Sequence, residues 1–252
     1  MKIGLALSGG GAKGIAHLGV IKALSELGIK PDAIAGTSAG SIVGSMTAAG
    51  YSPEFILDII LSTSILRNLK PAFNRFGLFK IESAQAIFAK YMPHDSFEGL
   101  KLPLTITATD IEKGEVVYFD NGELIKPILA SCCLPGIFEP IRYQDRLLID
   151  GGVLNNIPIE PLESTCDFII GVNVMPIGEG MPINSMKDVL SKSLHIAIRN
   201  NSIQKLKKCN LAIEPPELYK FDGFNVTKAK ELYKIGYEYT MKTAEGKLAQ
   251  IL

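Results

Sequence analysis

The sequence lacks both an excess of charge and a long hydrophobic run. Its 26 basic residues are balanced by 26 acidic ones, so no global field favours nucleic acid, and we expect no nucleic-acid partner. No apolar run approaches the roughly 18 residues that cross a bilayer. The run that begins at Ile3 ends at Ser8, too soon for a signal-peptide core. We therefore expect a soluble, cytoplasmic protein, with peripheral contact as the limit of any membrane association.

Cysteines and histidines are too few and too scattered to predict a disulfide framework or a metal site. None of the four cysteines forms a C-x-x-C pair. The adjacent Cys132 and Cys133 stand among apolar residues, as packed thiols in a reducing compartment do. No cluster of histidines, cysteines or carboxylates has the spacing of metal ligands. We therefore expect neither a metal ion nor a cofactor.

Short apolar runs followed by glycine turns organise the first part of the chain. Ile3–Ser8 and Ala33–Gly36 each lead through a turn into a helical pattern, which predicts a parallel sheet of the α/β class. With 252 residues, 47% of them hydrophobic, the chain can bury one large core, so we interpret residues 1–252 as a single domain. Further strands are expected at Leu104–Thr109, Glu115–Phe119, Arg146–Ile149, Asp167–Val174 and Leu211–Glu214.

The second of these turns, Gly36-Thr37-Ser38-Ala39-Gly40, has the pattern of a nucleophile elbow. The backbone must reverse sharply between strand and helix, and the flanking glycines relieve crowding at strained dihedral angles there. Ser38 would project from the turn near the positive end of the following helix. Because a Gly-x-Ser-x-Gly pattern has only three fixed positions, this interpretation depends on a base and an oxyanion site elsewhere in the chain.

The first turn, Gly9–Gly14, matches the spacing G-x-G-x-x-G and permits two interpretations. It is either a dinucleotide fingerprint that holds a pyrophosphate at a helix N-terminus, or an oxyanion hole of backbone N–H groups. A dinucleotide site needs an acidic residue at the end of the second strand. Asp32 instead precedes that strand, which runs into Ser38. The sequence therefore favours acyl chemistry, and the dinucleotide site remains the weaker alternative.

A serine nucleophile needs a positioned base, and a carboxylate is the better candidate here. None of His17, His94 and His195 stands at the carboxyl end of a predicted strand, where open α/β sheets gather their reactive groups. Asp150 does, and the two glycines after it let neighbouring backbone approach closely. Asp110 also follows a strand, but its Asp-x-x-x-Gly continuation is typical of a hairpin turn, so we rank Asp150 above it.

Residues 53–92 carry apolar side chains on most helical faces, with basic residues among them. Ser52-Pro53 has the cap and first-turn proline of a helix start. Two interpretations stay open for the segment as a whole. It is either an ordinary buried helix with a loop, or a helical cap beside the site that meets lipid aggregates through residues such as Ile65 and Leu66.

Taken in order, Gly9–Gly14, Gly36–Gly40 and Asp150-Gly151-Gly152 resemble the motifs of the patatin-like phospholipase family, specifically its small bacterial members. The similarity runs from Lys2 to about Val174, and the C-terminal third carries no matching motif. The resemblance implies a three-layer α/β/α sandwich with a mostly parallel central sheet.

The same resemblance implies a role for each motif. Ser38 corresponds to the nucleophile and Asp150 to the base, as a Ser–Asp dyad without a histidine. The amides of Gly10, Gly11 and Ala12 would be the oxyanion donors. The residues of the loop that correspond to the oxyanion hole are Gly9, Gly10, Gly11, Ala12 and Gly14.

The resemblance therefore implies a serine esterase that cleaves acyl esters of phospholipids or other lipids through an acyl-enzyme. Two alternatives stay open. One is a non-catalytic regulatory or binding protein on the same fold, and the other is the dinucleotide-binding protein that the glycine loop allows.

Overall fold

The computed structural model describes residues 1–63, 70–71, 77–178 and 183–245. The strands are β1 (Ile3–Leu7), β2 (Ala33–Thr37), β3 (Lys70–Pro71), β4 (Phe79–Lys80), β5 (Leu104–Asp110), β6 (Glu115–Phe119), β7 (Ile141–Tyr143), β8 (Arg146–Asp150), β9 (Phe168–Val172) and β10 (Leu211–Ile213). The helices are α1 (Ala16–Glu26), α2 (Ala39–Ala48), α3 (Pro53–Ser62), α4 (Gln85–Tyr91), α5 (Ile125–Ser131), α6 (Glu160–Glu163), α7 (Met186–Lys208) and α8 (Ala229–Glu245).

Within these ranges, eight strands form one mixed sheet whose central part is parallel. The strands β10, β9, β1, β2 and β5 are neighbours in that order and run parallel, as buried apolar runs between helices predict. The strands β6, β7 and β8 join beyond them in antiparallel pairs. The short strands β3 and β4 pair with each other outside the main sheet.

Side chains of the sheet divide between two cores, because successive residues of a strand face opposite sides. In β1, Leu5 and Leu7 point into a large core that includes residues of α1, α2, α3, α5 and α8. Ala6 points into a smaller core with residues of α6 and α7. In β2, Ile34 and Ala35 divide in the same way. Helices therefore cover both faces, which confirms the α/β/α sandwich.

The strand β8 brings the third motif next to the second. Thr37, the last residue of β2, pairs with Thr107 of β5, and Asp150, the last residue of β8, pairs with the adjacent Ala108. Since β6 occupies the other edge of β5 at residues 106–110, β2 and β8 lie end to end along one edge. Two strand ends that approach from opposite directions therefore meet at a single point of the sheet.

The sequence predicts a strand at β8 but not its direction. β8 is antiparallel to β5 because it is the second strand of a tight hairpin with β7. The two turn residues, Gln144 and Asp145, have positive φ angles of 49° and 57°, as a two-residue hairpin turn requires. The sheet that the family resemblance implied to be mostly parallel is therefore mixed at this end.

The segment 53–92 begins with a capped helix, as predicted. Ser52 Oγ accepts the N–H of Phe55 at 3.2 Å and caps α3. Ile65 and Leu66 lie outside the described residues. Across the part of the chain that is described, no helix combines the length and apolar character needed to cross a membrane.

Candidate active site

Ser38 lies in a strained turn between β2 and α2. Its φ of 52° and ψ of −122° are unusual for a residue with a side chain. Neither Gly36 nor Gly40 has a positive φ. Close packing requires them instead, since a Cβ on Gly36 would lie 2.5 Å from the Gly40 oxygen and a Cβ on Gly40 would collide with the Leu7 carbonyl. The strain expected at the glycines therefore lies on Ser38 itself.

Hydrogen bonds on both sides of Ser38 hold the elbow in place. Its carbonyl oxygen accepts the N–H groups of Ser41 at 2.8 Å and Ile42 at 3.2 Å, which begins α2. Its own N–H donates to Ser131 Oγ at 2.7 Å, and the Ser131 hydroxyl donates to the Thr107 carbonyl at 2.6 Å. The end of α5 thus fixes the nucleophile turn against β5, a function for Ser131 that the sequence alone did not reveal.

Asp150 lies beside Ser38, close enough for the Ser38 hydroxyl to act on the pKa of its carboxyl. Asp150 Oδ1 also accepts the N–H of Gly152 at 2.7 Å, which fixes the carboxylate at the strand end. The side chain is only 5% exposed. Burial raises the pKa of Asp150 to about 6, although the Gly152 amide and the Ser38 hydroxyl oppose the shift. The group is thus a stronger base than an exposed aspartate.

The two glycines after Asp150 allow the neighbouring strands to approach. A Cβ on Gly151 would collide with the Thr107 carbonyl and lie 3.1 Å from Thr37 Cγ2. A Cβ on Gly152 would lie 3.0 Å from Asp150 Oδ1. Any larger residue at either position would force β8 away from the end of β2.

Two amides of the glycine loop are already used to support the loop. The Gly9 N–H donates to Asn156 Oδ1 at 3.0 Å, and the Ala12 N–H donates to the Gly223 carbonyl at 2.6 Å. The Ala12 amide, which the sequence suggested as an oxyanion donor, is therefore already hydrogen-bonded within the protein. The partner of Ala12 comes from the C-terminal third, where the sequence showed no motif.

The amides of Gly10 and Gly11, which lie between those of Gly9 and Ala12, differ from them. Within the described residues, the N–H groups of Gly10 and Gly11 have no hydrogen-bond partner. Gly11 has a φ of +57°, which favours glycine. The loop also touches the elbow, since a Cβ on Gly14 would lie 2.5 Å from the Ala39 Cβ. Two unpaired donors therefore lie in a loop that packs against the Ser38 turn.

Asn156 links the glycine loop to the Asp150 turn. Its Oδ1 accepts the Gly9 N–H, and a Cβ on Gly152 would lie 3.0 Å from the same oxygen. The residue is 2% exposed, and its Nδ2 is buried without a partner among the described residues. The pair Asn155-Asn156, two residues after Asp150-Gly151-Gly152, was the available signal for this position.

The three histidines lie away from the dyad. His17 is fully buried, and its Nε2 contacts the Ser8 carbonyl at 2.8 Å, which supports the strand end beneath the glycine loop. Burial lowers the pKa of His17 to about 4, so this ring is neutral. His94 is exposed, and His195 lies on α7. None of these rings hydrogen-bonds Ser38 within the described residues.

Cys132 is a further neighbour of the dyad. Its thiol lies beside the Ser38 and Ser41 side chains, whose hydroxyls act to lower its pKa. Burial, and then the nearby Asp150 carboxylate, raise the pKa of the Cys132 thiol well above its ordinary value. The thiol is therefore protonated and packs beside Ser38. In the described part of the chain, no group of three or more histidine, cysteine or carboxylate side chains is placed to hold a metal ion.

Comparisons with known proteins identify the family of this chain. The family model described as patatin-like phospholipase matches residues 5–163, more than half of the chain. An uncharacterized NTE family protein of Mycobacterium tuberculosis is 34% identical over 204 residues, which are 80% of this chain and 57% of that protein. A protein of Aspergillus fumigatus named lysophospholipase nte1 is 33% identical over 199 residues, 71% of this chain and 12% of the relative.

The fold has a solved counterpart. VipD from Legionella pneumophila superposes with a TM-score of 0.59 at 15% identity, over 97% of this chain and 67% of VipD. At that identity the likeness shows the fold alone. The chain spans little more than half the length of the first curated relatives that it matches, at 57%. The match over residues 5–163 nevertheless settles the family: the chain belongs to the patatin-like phospholipases.

Proposed function

We propose that this protein is a serine lipid acyl hydrolase that cleaves acyl esters through Ser38 and Asp150. The observation that carries the proposal is the meeting of the β2 and β8 ends, which brings the Ser38 turn next to the buried Asp150 carboxylate. Membership of the patatin-like phospholipase family and the similarity to a protein named lysophospholipase support the lipid substrate.

In the first half-reaction, Asp150 accepts the hydroxyl proton as Ser38 Oγ attacks the ester carbonyl carbon. The pKa of about 6 leaves Asp150 ionised at neutral pH but basic enough to take the proton. The tetrahedral intermediate collapses when the leaving alcohol recovers that proton from Asp150. The product of this step is an acyl-enzyme on Ser38.

The developing oxyanion is stabilised by the N–H groups of Gly10 and Gly11. Preorganised amide donors of this kind contribute about 10²–10³-fold in rate each. The bonds from Gly9 to Asn156 and from Ala12 to Gly223 hold the loop on either side of these donors. In the second half-reaction, Asp150 takes a proton from water as the water oxygen attacks the acyl carbon. The bond to Ser38 Oγ then breaks, Ser38 recovers the proton from Asp150, and the fatty acid is released.

We further propose that residues 1–252 act as one hydrolytic domain that touches lipid aggregates only peripherally. The bond between Ala12 and Gly223 supports a joint role of the two parts of the chain. Leu78 is 60% exposed, and its N–H donates to the Ile137 carbonyl at 3.0 Å. Ile137 stands four residues after Cys133, whose carbonyl accepts the Asp150 N–H at 2.9 Å. The exposed Leu78 is therefore linked through Ile137 to the part of the chain that holds Asp150.

The test is release of fatty acid from a panel of phospholipids, lysophospholipids and acylglycerols, measured by mass spectrometry. The wild type should release fatty acid, and Ser38→Ala should release none above background. Ser45→Ala is the matched control, since it removes another buried serine hydroxyl from α2 that bonds only the Ser41 carbonyl among the described residues. Full release by a folded Ser38→Ala protein would overturn the proposal.

A further inference from the structure

Helix α7 packs against the Gly151–Val153 turn that follows Asp150 and carries three nitrogen-bearing side chains one turn apart. Lys192, His195 and Arg199 are spaced three and four residues apart, so they share one face of the helix. Each is partly buried, whereas Ile196, on another face, is 52% exposed. An ordinary surface helix buries apolar residues and exposes charged ones, and this part of α7 reverses that arrangement.

Two of these side chains have buried polar atoms with no partner among the described residues. His195 Nε2 and Arg199 Nε are inaccessible to solvent and make no hydrogen bond there. Leaving such groups unpaired is unfavourable unless a ligand satisfies them. Of the carboxylates that the structure describes, none forms an ion pair with Lys192 or Arg199.

Lys13, in the glycine loop itself, faces the same cluster. It is 4% exposed, directly after the Ala12 amide that Gly223 holds. The pKa of Lys13 is lowered by burial and by Lys192, although the Asp222 carboxylate opposes the shift. The pKa of His195 is lowered to about 4 by burial, then by Lys13, Lys192 and Arg199. Lys13, Lys192 and Arg199 therefore all act on His195, and Asp222 is the acidic group that acts on Lys13.

We propose that Lys192, His195 and Arg199 form, together with Lys13, a phosphate-binding subsite beside the oxyanion loop. On this proposal, which rests on the proposed hydrolase function, the ligand is the phosphate of a lysophospholipid or phospholipid whose acyl ester lies at Ser38. Arginine and lysine bind phosphate oxygens through charge-assisted hydrogen bonds. A neutral His195 with its proton on Nε2 adds a further donor.

The position of the subsite fits the chemistry of the substrate. In a glycerophospholipid, a short glycerol bridge separates the acyl ester from the phosphate. Lys13 follows Gly11 by two residues, and a Cβ on Gly10 would lie 3.7 Å from the Lys13 Cβ, so Lys13 lies beside the expected position of the ester oxygen. An acylglycerol lacks the phosphate and would leave the cluster unpaired. The cluster would therefore select phospholipids over neutral lipids.

The experiment measures equilibrium binding to the Ser38→Ala protein, so that it does not depend on turnover. The ligands are lysophosphatidylcholine and the monoacylglycerol with the same acyl chain, both below their aggregation concentrations. We expect the ratio of their dissociation constants to favour the phosphate-bearing ligand, and Arg199→Gln or Lys192→Gln to reduce that ratio roughly tenfold. Lys207→Gln and Lys208→Gln, at the exposed end of the same helix, are the controls and should leave the ratio unchanged.

The other outcomes identify what has failed. If the ratio of dissociation constants is the same in the Ser38→Ala protein with and without Arg199→Gln or Lys192→Gln, and the circular dichroism is unchanged, the subsite assignment is wrong. Inorganic phosphate is the second probe. If it binds in an Arg199-dependent way while the lipid ratio does not change, the cluster binds a free anion and the lipid assignment is wrong. Failure of the Ser38-containing protein to hydrolyse any ester would instead overturn the proposed function and leave the binding result to decide the subsite.

Discussion

Two buried aspartates end neighbouring strands of the sheet, but their surroundings differ. Asp110 ends β5 and is fully buried, whereas Asp150 ends β8 and is 5% exposed. Asp110 Oδ1 accepts the N–H groups of the following turn, and its Oδ2 lies 3.7 Å from Arg146 Nη1. Asp150 accepts the Gly152 N–H and lies beside the Ser38 hydroxyl. The first carboxylate closes a hairpin, and the second faces a strained serine.

The difference shows that burial alone does not make a carboxylate a base. The Asp110 carboxylate contacts the amides of its own turn and Arg146, so its oxygens close the hairpin and do not face the Ser38 turn. Among the described residues, Asp150 has no such cation, and burial raises its pKa to about 6. The neighbours of each carboxylate therefore decide its role.

The largest expected effect comes from exchanging each carboxylate for its amide. Asp150→Asn should lower kcat/KM for a p-nitrophenyl ester about 10²–10⁴-fold, the usual contribution of a general base. Asp110→Asn should lower the free energy of unfolding by about 1–3 kcal/mol, because it removes the charge that faces Arg146. Its kcat/KM should stay near that of the wild type.

The two substitutions should also differ in their effect on the free energy of unfolding. A carboxyl whose pKa is raised in the folded state stabilises the fold in its protonated form, so this stability is present below its ordinary pKa of 3.8 and is lost as the pH rises to about 6. Asp150→Asn should therefore unfold no more easily than wild type at pH 8, as denaturant titration would show. If Asp110→Asn loses activity while Asp150→Asn keeps it, the roles assigned to the two residues are reversed.

A change in the glycine loop should have the next largest effect. Gly11→Ala places a side chain at a φ of +57° and against the Gly223 carbonyl, so the Gly10 and Gly11 amides should move. We expect kcat/KM to fall about 10²-fold, a typical result of misplacing an oxyanion donor. Gly28→Ala is the control, because Gly28 also has a positive φ, of 79°, but has no atom near its Cβ position. A similar loss in both variants would show that general strain is responsible.

The pH dependence of kcat/KM tests the base without a substitution at Asp150. Because Asp150 must be ionised to accept a proton, kcat/KM should fall below about pH 6, approximately tenfold per pH unit. The Asp110→Asn variant should follow the wild-type profile. A profile that stays flat to pH 4 in the folded protein would contradict a buried carboxylate base.

The smallest effect is expected at the exposed Leu78. Leu78→Glu should reduce hydrolysis of lipid in vesicles several-fold, since a charged side chain disfavours contact with acyl chains. Hydrolysis of a soluble short-chain ester should change little, and its rate is the internal control. Equal losses on both substrates would count against peripheral lipid contact at this position.

The sequence predicted those features that depend on local chemistry. The Ser38 turn, the glycine loop and the Asp150 turn each follow a short apolar strand and contain the glycines that a tight turn needs. The turn after Asp110 was also predicted, and the N–H groups of Glu112 and Lys113 bond its carboxylate. Local turn patterns therefore separated the two aspartates before any contact was known.

The remaining features depend on contacts between distant residues. The meeting of β2 and β8 end to end depends on the direction of β8, which the β7 hairpin sets. The bonds from Gly9 to Asn156 and from Ala12 to Gly223 join segments far apart in the chain and leave no periodic signal. The inward-facing cations of α7 contradict the usual helical pattern, so hydrophobic periodicity cannot predict them.

The most direct test of the Ser38–Asp150 dyad is the rate and position of covalent labelling by a fluorophosphonate, measured by peptide mass spectrometry. A fluorophosphonate reacts with a serine only when a base activates its hydroxyl. We predict a single adduct on Ser38, no adduct in Ser38→Ala, and labelling slowed about 10²–10⁴-fold in Asp150→Asn. An adduct on Ser41 or Cys132, or equally fast labelling of a folded Asp150→Asn protein, would contradict the dyad.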